Sequence, residues 1–400
     1  MLTKKLFLGL GGLAVAAVPV MSVISCGANT INNAAEAVEV EENGIYVNKE
    51  TGYITKYTGA ESVVTIPAQI QGVTIKGVGT NAFKNKGLIS LTIEADLESI
   101  GDYAFANNEL TSLKLLQTIN SIGKNAFENN SISVLEFTPP AQSDVVTGQE
   151  GENAPIKELQ TIGDSAFKGN KIEKLSLPDS VKSLGKHSFE NNAIASIIFG
   201  GQLETIDDYA FNNNRISLIQ LPQSLTKIGN FAFTNNQINS LAIPNSVTTI
   251  GSYAFSGNTI QTLVVPDSVK TIGTSAFSDN QINDLKLGVG VKKISSSAFA
   301  NNKISSLIIP DSVTTIGSSA FTNNQISDLK LGTKVNRIED EAFRLNKLTN
   351  VEFPSSVGFI GDNAFRLNEI TNVTLTLACE FTENDEAINS FDADVIINRA

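Results

Sequence analysis

The hydrophobic positions of this chain recur with a long period over most of its length. A phenylalanine marks each unit, and successive marks are 22 residues apart except for one gap of 40. The marks are Phe83, Phe105, Phe127, Phe167, Phe189, Phe211, Phe233, Phe255, Phe277, Phe299, Phe321, Phe343 and Phe365. A period kept over thirteen units indicates an array whose units stack on one another.

Within a unit, apolar and polar residues alternate over a short stretch. In the unit that ends at Phe321, Ile304, Leu307 and Ile309 give the spacing L-x-x-L-x-L, and a proline follows. This alternation predicts a short strand with one face inward, and stacked strands of this kind pair in parallel. The Ile-Gly and Ala-Phe pairs then return the chain. Since 22 residues leave no room for a long helix, we expect short turns or 3₁₀ segments on the opposite face.

The predicted fold is therefore a β-rich solenoid with a repeat array over residues 80–380 and a cap at each end. Residues 44–79 are expected to form the N-terminal cap and a first long unit, and the acidic stretch 381–400 the C-terminal cap. The long gap contains an insertion at 139–156, whose prolines, glycines and acids predict a surface loop. A hairpin is expected in the N-terminal cap from Ile45, Val47, Tyr53, Ile54 and Tyr57.

An asparagine stands three positions after the phenylalanine in every unit except the first, which carries Lys86. The row is Asn108, Asn130, Asn170, Asn192, Asn214, Asn236, Asn258, Asn280, Asn302, Asn324, Asn346 and Asn368. These side chains could bind a glycan or another ligand, or could form an internal ladder that satisfies buried turn backbone. Identical residues in register favour the structural ladder, because every turn presents the same backbone groups.

The combined pattern resembles the BspA-like class of leucine-rich repeats, whose units read L-x-x-L-x-L-P-x-x-L-x-x-I-G-x-x-A-F. The resemblance covers residues 60–380, and asparagine occupies the place where many relatives carry cysteine. The resemblance, rather than the periodicity, implies a surface protein engaged in adhesion or host contact.

The first 25 residues have the features of a processing segment. Lys4 and Lys5 precede an uncharged apolar stretch from Leu6 to Val23. A membrane span is the competing interpretation, since such a span needs about 20 residues, but the small residues before Cys26 favour cleavage. The four residues that end at Cys26 resemble the lipobox of a bacterial lipoprotein signal, which implies that Cys26 becomes a lipidated N-terminus. An ordinary signal peptide with an incidental cysteine is the alternative.

Residues 26–43 are acidic, contain few large apolar side chains, and predict a disordered tether. The chain has two cysteines, so lipidation of Cys26 would leave Cys379 without a disulfide partner. The formal net charge is −12, and removal of the signal, with two lysines and no acid, leaves −14. This charge argues against nucleic acid or an anionic lipid surface as a partner held by bulk electrostatics.

The sequence offers little for catalysis, and we expect no enzyme activity. The one histidine, His187, stands in a slot that holds tyrosine or serine in other units, which indicates a tolerated turn substitution rather than a catalytic base. Carboxylates occupy variable slots, with no repeated pair that converges. The spacings of a zinc site, a calcium loop and a phosphate loop are missing, so no metal or cofactor is expected.

What remains is a surface for recognition. The outward slots of the predicted strands include four aliphatic residues that could form a contact patch: Ile198, Leu218, Val264 and Ile308. Scattered surface apolar residues without consequence are the alternative. The predicted function is a lipid-anchored protein on the extracellular face of the cell membrane, with a repeat platform that binds an extracellular or host protein. The competing function is a structural or shielding surface antigen without a specific ligand.

Overall fold

The computed structural model describes residues 38–139, 158–375, 379–381, 383–384 and 387–399. The predicted signal peptide and Cys26 lie outside these residues, as does almost all of the predicted loop at 139–156. Across the described part of the chain, the regular elements are strands and turns, with no helix or 3₁₀ segment.

Most repeat units add short strands to two parallel sheets, which we call sheet A and sheet B. In sheet B, Leu218 and Ser240 form only isolated bridges, and the unit of Val351 has no strand. Sheet A is formed by the residue pair that ends at the isoleucine of each Ile-Gly step, and sheet B by the Leu-x-Leu segment. Partners in both sheets are mostly 22 residues apart and parallel, as in Ile228 with Ile250 and Leu307 with Leu329. The predicted parallel β-solenoid is confirmed. Turns follow on the Ile-Gly side as predicted, and the structure adds there a second, two-residue strand per unit that the sequence analysis did not predict.

The repeat strands have the following bounds. Sheet A contains Tyr53–Tyr57, Gly77–Val78, Ser99–Ile100, Ser121–Ile122, Thr161–Ile162, Ser183–Leu184, Thr205–Ile206, Lys227–Ile228, Thr249–Ile250, Thr271–Ile272, Lys293–Ile294, Thr315–Ile316, Arg337–Ile338, Phe359–Ile360 and Glu380–Phe381. Sheet B contains Val63–Ile66, Ser90–Ile93, Ser112–Leu116, Val134–Thr138, Lys174–Ser176, Ser196–Ile198, Thr262–Val264, Asp284–Lys286, Ser306–Ile308, Asp328–Lys330, Asn372–Leu375 and Ile396–Arg399.

Close approach of successive turns explains why glycine follows most of the sheet A isoleucines. A Cβ atom placed on Gly251 would lie 2.5 Å from the backbone nitrogen of Asn230 in the preceding turn. The same approach lets the Gly251 N–H donate to the Ile228 carbonyl at 2.9 Å. A side chain at Gly251 would therefore require the neighbouring turns to shift.

The core between the two sheets is a continuous stack of aromatic rings. Successive core phenylalanines lie 5.0 to 5.7 Å apart between ring centroids, with nearly parallel planes. Tyr57 continues the stack before Phe83, and Phe391 continues it after Phe365. Burial of each ring removes a large apolar surface from water, so the stack joins every turn to its neighbours energetically.

The N-terminal cap begins earlier than the sequence predicted. Glu39–Glu42, assigned to the tether, form a strand that pairs antiparallel with Ile45–Asn48. That strand in turn pairs antiparallel with Tyr53–Tyr57, which gives the expected hairpin and leads into sheet A. Acidic composition misled the prediction, because the single apolar residue Val40 is buried while its neighbours point outward. A second small hairpin joins Gln69–Ile70 to Val73–Thr74.

The C-terminal end continues the solenoid rather than only covering it. Ile396–Arg399 pair in parallel with Asn372–Leu375, and Phe391 occupies the next position of the aromatic stack. The sequence suggested a polar cover here because the 22-residue period is lost. A short antiparallel pair is formed by Glu383–Asn384 and Ala387–Ile388.

One junction interrupts both sheets. Sheet A divides after Thr271–Ile272, and sheet B has no pairing between Asp284–Lys286 and Ser306–Ile308. At the other sheet A junctions from Ile54 to Ile338, the carbonyl of the inward residue accepts a backbone N–H from the next turn. The Ile272 carbonyl instead accepts the Ser295 hydroxyl at 2.6 Å. The step across this junction in the core stack is also the widest, at 5.7 Å. The array therefore consists of two blocks joined by a loosened contact.

Candidate binding surfaces

The outward face of sheet B carries the four aliphatic residues that the sequence singled out. Their exposed fractions are 65% for Ile198, 67% for Leu218, 53% for Val264 and 64% for Ile308. Alternate residues point inward, so Leu263 and Leu307 are buried beside them. The structure does not gather all four into one cluster. Ile198 and Leu218 lie on adjacent turns, while Val264 and Ile308 are separated by the turn that carries Lys286.

Charged residues alternate with the aliphatic ones toward the C-terminal half of this face. Lys286 and Lys330 occupy the equivalent outward slot on the two turns that flank Ile308. In the parallel row, the Ser306 hydroxyl donates to the Asp328 carboxylate at 2.9 Å. The face therefore offers an aliphatic contact within reach of both charge signs.

Shallow grooves open on sheet B at four junctions where neighbouring strands are not paired. The largest has a volume of about 690 Å³ and lies at the junction that interrupts both sheets, lined by Leu285, Leu287, Val289, Ile308 and Pro310. Other grooves, of about 620, 400 and 320 Å³, lie at three more unpaired junctions of the same sheet. Sheet B is thus a corrugated surface rather than one with a single deep pocket.

The repeated asparagines lie inside the turns and join successive units. The Asn258 Oδ1 atom accepts the Ile238 N–H at 2.9 Å. Its Nδ2 atom donates to the carbonyls of Phe233 and Phe255, at 2.9 and 3.0 Å. The same three contacts recur from Asn108 to Asn368. Because both ends of the amide are used by backbone, the geometry supports the ladder interpretation over a ligand-binding row.

A second asparagine row was not foreseen from the sequence. Two positions after the core phenylalanine, exposed asparagines donate from one turn to the next, as from Asn235 to Asn213 at 2.9 Å and from Asn213 to Asn191 at 2.9 Å. The backbone there has positive φ, near 55°. Asparagine tolerates this conformation better than most residues. The signal was in the sequence as the first asparagine of the repeated Asn-Asn pair.

His187 belongs to a polar network on the turn that follows the sheet A strand Ser183–Leu184. Its Nδ1 atom lies 2.8 Å from the Glu190 carboxylate, and Lys168 Nζ lies 2.7 Å from the same oxygen. Burial alone raises the pKa of the Glu190 carboxyl, but hydrogen bonds from Lys168, Asn212 and His187 outweigh it and hold the pKa below its usual range. The Glu190 carboxylate therefore remains ionised and bound within the turn.

Cys379 is a free, buried cysteine. Burial raises the pKa of the Cys379 thiol, so the nucleophilic thiolate is disfavoured. Among the described residues, no three side chains of histidine, cysteine, aspartate or glutamate are grouped closely enough to hold a metal ion. Within the same part of the chain, no helix has the length and hydrophobicity needed to cross a membrane.

Comparison with protein families gives one extensive match. The model of the BspA type leucine rich repeat region matches in six copies, over residues 64–145, 160–283 and 275–385. These ranges cover more than three quarters of the chain. The chain belongs to the BspA-type leucine-rich repeat family. Family membership confirms the resemblance found in the repeat motif, whereas the lipobox at Cys26 stays a prediction.

Solved structures include several similar leucine-rich repeat proteins. A leucine rich cell surface protein from Faecalibacterium prausnitzii is 20% identical, with coverage of 92% of this BspA-type chain and 96% of that chain and a TM-score of 0.41. The pneumococcal vaccine antigen PcpA is 18% identical, with coverage of 90% and 98% and a TM-score of 0.47. A leucine-rich repeat protein from Bacteroides ovatus is 21% identical, with coverage of 90% and 97% and a TM-score of 0.41. The search of curated proteins found no significant match.

Proposed function

We propose that this BspA-type protein is a surface-displayed binding module that docks a large extracellular or host protein on the outward face of sheet B. The observation that carries the proposal is the set of strongly exposed aliphatic side chains on that face. Such side chains lose contact with water when a partner covers them, and burial of apolar surface is the dominant favourable contribution to most protein association.

The shape of the face favours an extended partner over a small molecule. Small-molecule sites are usually concave and enclose most of the ligand surface. The sheet B grooves are shallow and repeat along the array at the unpaired junctions. An extended partner can contact several turns at once, and each turn then contributes a modest part of the affinity.

Display at the cell surface follows from the N-terminal segment. Cleavage of the basic, then apolar leader before Cys26 would leave Cys26 as a lipidated N-terminus, which would hold the solenoid on the extracellular face of the membrane. The module acts by binding rather than by catalysis. A structural or shielding surface antigen without a specific ligand is the competing function, and the following experiment separates the two.

A triple variant of the exposed aliphatic residues tests the docking face. Ile198→Asp, Val264→Asp and Ile308→Asp together should weaken binding to extracellular matrix and host-cell proteins about 100-fold, because three apolar contacts of about 1 kcal/mol each are lost. The side chains point outward, so the melting temperature should change little. Surface binding by purified residues 27–400 measures the effect.

A matched variant controls for the added charge. Thr161→Asp, Thr249→Asp and Thr315→Asp place the same three charges on the outward positions of sheet A. The control should bind as the wild-type chain does. Absence of saturable binding by the wild-type chain to every protein tested would favour the shielding function. If the sheet B aspartate variant binds as tightly as the wild-type chain, the contact with the partner lies elsewhere on the protein.

A further inference from the structure

The outward side of sheet A carries no carboxylate over four successive turns, although the chain has a net charge of −12. Each turn contributes a segment of five residues, from the position before a sheet A strand to the second position after it. The segments are 248–252, 270–274, 292–296 and 314–318, and we call them the basic face. Their lysines, Lys270, Lys292 and Lys293, are exposed and form no ion pair with any side chain that the structure describes.

A contact with a carboxylate recurs beside sheet A in other turns. An aspartate at the second position after the strand accepts the backbone N–H of the equivalent residue one turn later. Asp102 Oδ1 accepts the Lys124 N–H and Asp208 Oδ1 accepts the Asn230 N–H, both at 2.8 Å. Two further turns show the same contact. Backbone N–H groups at this position are therefore oriented to bind an anionic oxygen at the surface.

The basic face supplies no such oxygen of its own. Ser252, Thr274 and Ser296 replace the aspartate, and none of their hydroxyls accepts the N–H of the next turn. Among the described residues, the N–H groups of Thr274, Ser296 and Ser318 consequently have no hydrogen-bond acceptor. These three donors stand on successive turns, about 4.8 Å apart. They form a row suited to a ligand with repeated acidic groups.

The interrupted junction between the two blocks adds donors within the same face. On the preceding turn, the Lys270 N–H donates to the Thr248 carbonyl at 2.9 Å. The equivalent Lys292 N–H, and the Ser295 N–H beside it, find no acceptor in the described part of the chain, because sheet A divides there. Unpaired N–H groups and unpaired lysines therefore occur together on these turns.

A cation in the position of Lys293 acts on carboxylates at the end of the strand in another turn. Arg337 occupies the equivalent position, and its Nε atom donates to Glu339 Oε1 at 3.0 Å. The hydrogen bond to Glu339 raises the pKa of Arg337, and the charge of Asp340 contributes to the increase. An acidic group that accepts the Ser318 N–H would stand to Lys293 as Asp340 stands to Arg337.

We propose that the basic face binds a polysaccharide of uronic acids, whose carboxylates accept the unpaired N–H groups and pair with the three lysines. The threonine and serine hydroxyls of the face can exchange hydrogen bonds with sugar hydroxyls. The face has no aromatic side chain on which nucleic acid bases could stack. This site goes beyond the proposed docking of a protein and lies on sheet A rather than sheet B.

The test measures binding of an oligomer of galacturonic acid to purified residues 27–400 by calorimetry, at low salt to limit screening. Thr274→Asn is the most specific change, because Asn230 in the equivalent position accepts the Ser252 N–H at 2.8 Å. The introduced amide should occupy the Ser296 N–H without a change of charge and weaken binding about fivefold. Thr274→Ser should retain affinity. Lys292→Gln combined with Lys293→Gln should weaken binding at least about tenfold.

Two controls separate this site from other effects. Lys227→Gln removes a cation that already lies 3.7 Å from Asp207 Oδ1 and should bind as the wild-type chain does. The triple aspartate variant of sheet B should retain the oligomer, whereas the sheet A variant should lose it, because Thr249 and Thr315 belong to the basic face. Failure of this site is thereby distinct from failure of the protein-docking face.

Three results would overturn the proposal. The first is absence of saturable binding by the wild-type chain, and the second is unchanged affinity in both Thr274→Asn and the double lysine variant. The third is equal affinity for a neutral glucose oligomer or for a glutamate peptide of the same charge, which would remove the assignment to an acidic polysaccharide.

Discussion

Asn258→Ala should lower the free energy of unfolding by about 1–3 kcal/mol, although it removes only a small polar side chain. The Asn258 amide accepts the Ile238 N–H and donates to the Phe233 and Phe255 carbonyls, and alanine can do neither. These backbone groups lie inside the turns, where water cannot readily replace the lost partner. Urea or thermal unfolding of the purified chain measures the loss.

The damage should extend beyond the mutated turn. Since the amide bridges the Phe233 and Phe255 turns, hydrogen exchange should accelerate in both. Asn239→Ala is the matched control, because Asn239 is exposed and should cost little when replaced. Equal stability of Asn258→Ala and the wild-type chain would remove the ladder interpretation and return the row to a role in ligand binding.

Cys26→Ser should convert a membrane-bound protein into one released to the medium or retained as an uncleaved precursor. Lipidation requires the cysteine thiol, and two or more acyl chains are needed for stable anchoring because a single chain binds only marginally. Detergent phase partitioning and the mass of the mature N-terminal peptide report the change. Cys379→Ser is the matched control, because the buried Cys379 lies within the fold and should not affect anchoring. Recovery of the wild-type chain in the aqueous phase would contradict the lipoprotein prediction.

Much of the fold could be predicted because the determinants repeat. Leu307 and Ile309 point inward, and a period of 22 residues repeats these two positions along the array. Stacking of the units then follows from the need to bury the inward face. Sheet A was missed because its strands within the repeat array are only residue pairs, such as Thr249–Ile250. Two residues are too few to show an alternation, and the following glycine indicated a turn.

The surface was harder to predict for a different reason. His187, Tyr209, Phe231 and Tyr253 occupy one slot, but the slot varies along the array, and variation indicated tolerance rather than a stack. Contact between the rings depends on the distance between turns and on the positive φ of their backbone, which no local pattern reveals. The aliphatic residues of sheet B were placed outward correctly because alternation alone decides their direction.

If the solenoid binds an extended partner through many similar contacts, removal of whole turns should weaken binding in steps, and a series of turn deletions measures this. Deletion of residues 237–258, then of 215–258, removes one and two whole periods of 22 residues while the remaining turns stay in phase. Affinity for the extracellular partner should fall stepwise, about two- to fivefold for each turn, because most interface residues contribute less than about 1 kcal/mol. Complete loss of affinity on removal of one turn, or no loss of affinity on removal of two turns with the fold intact, would contradict binding through many similar contacts.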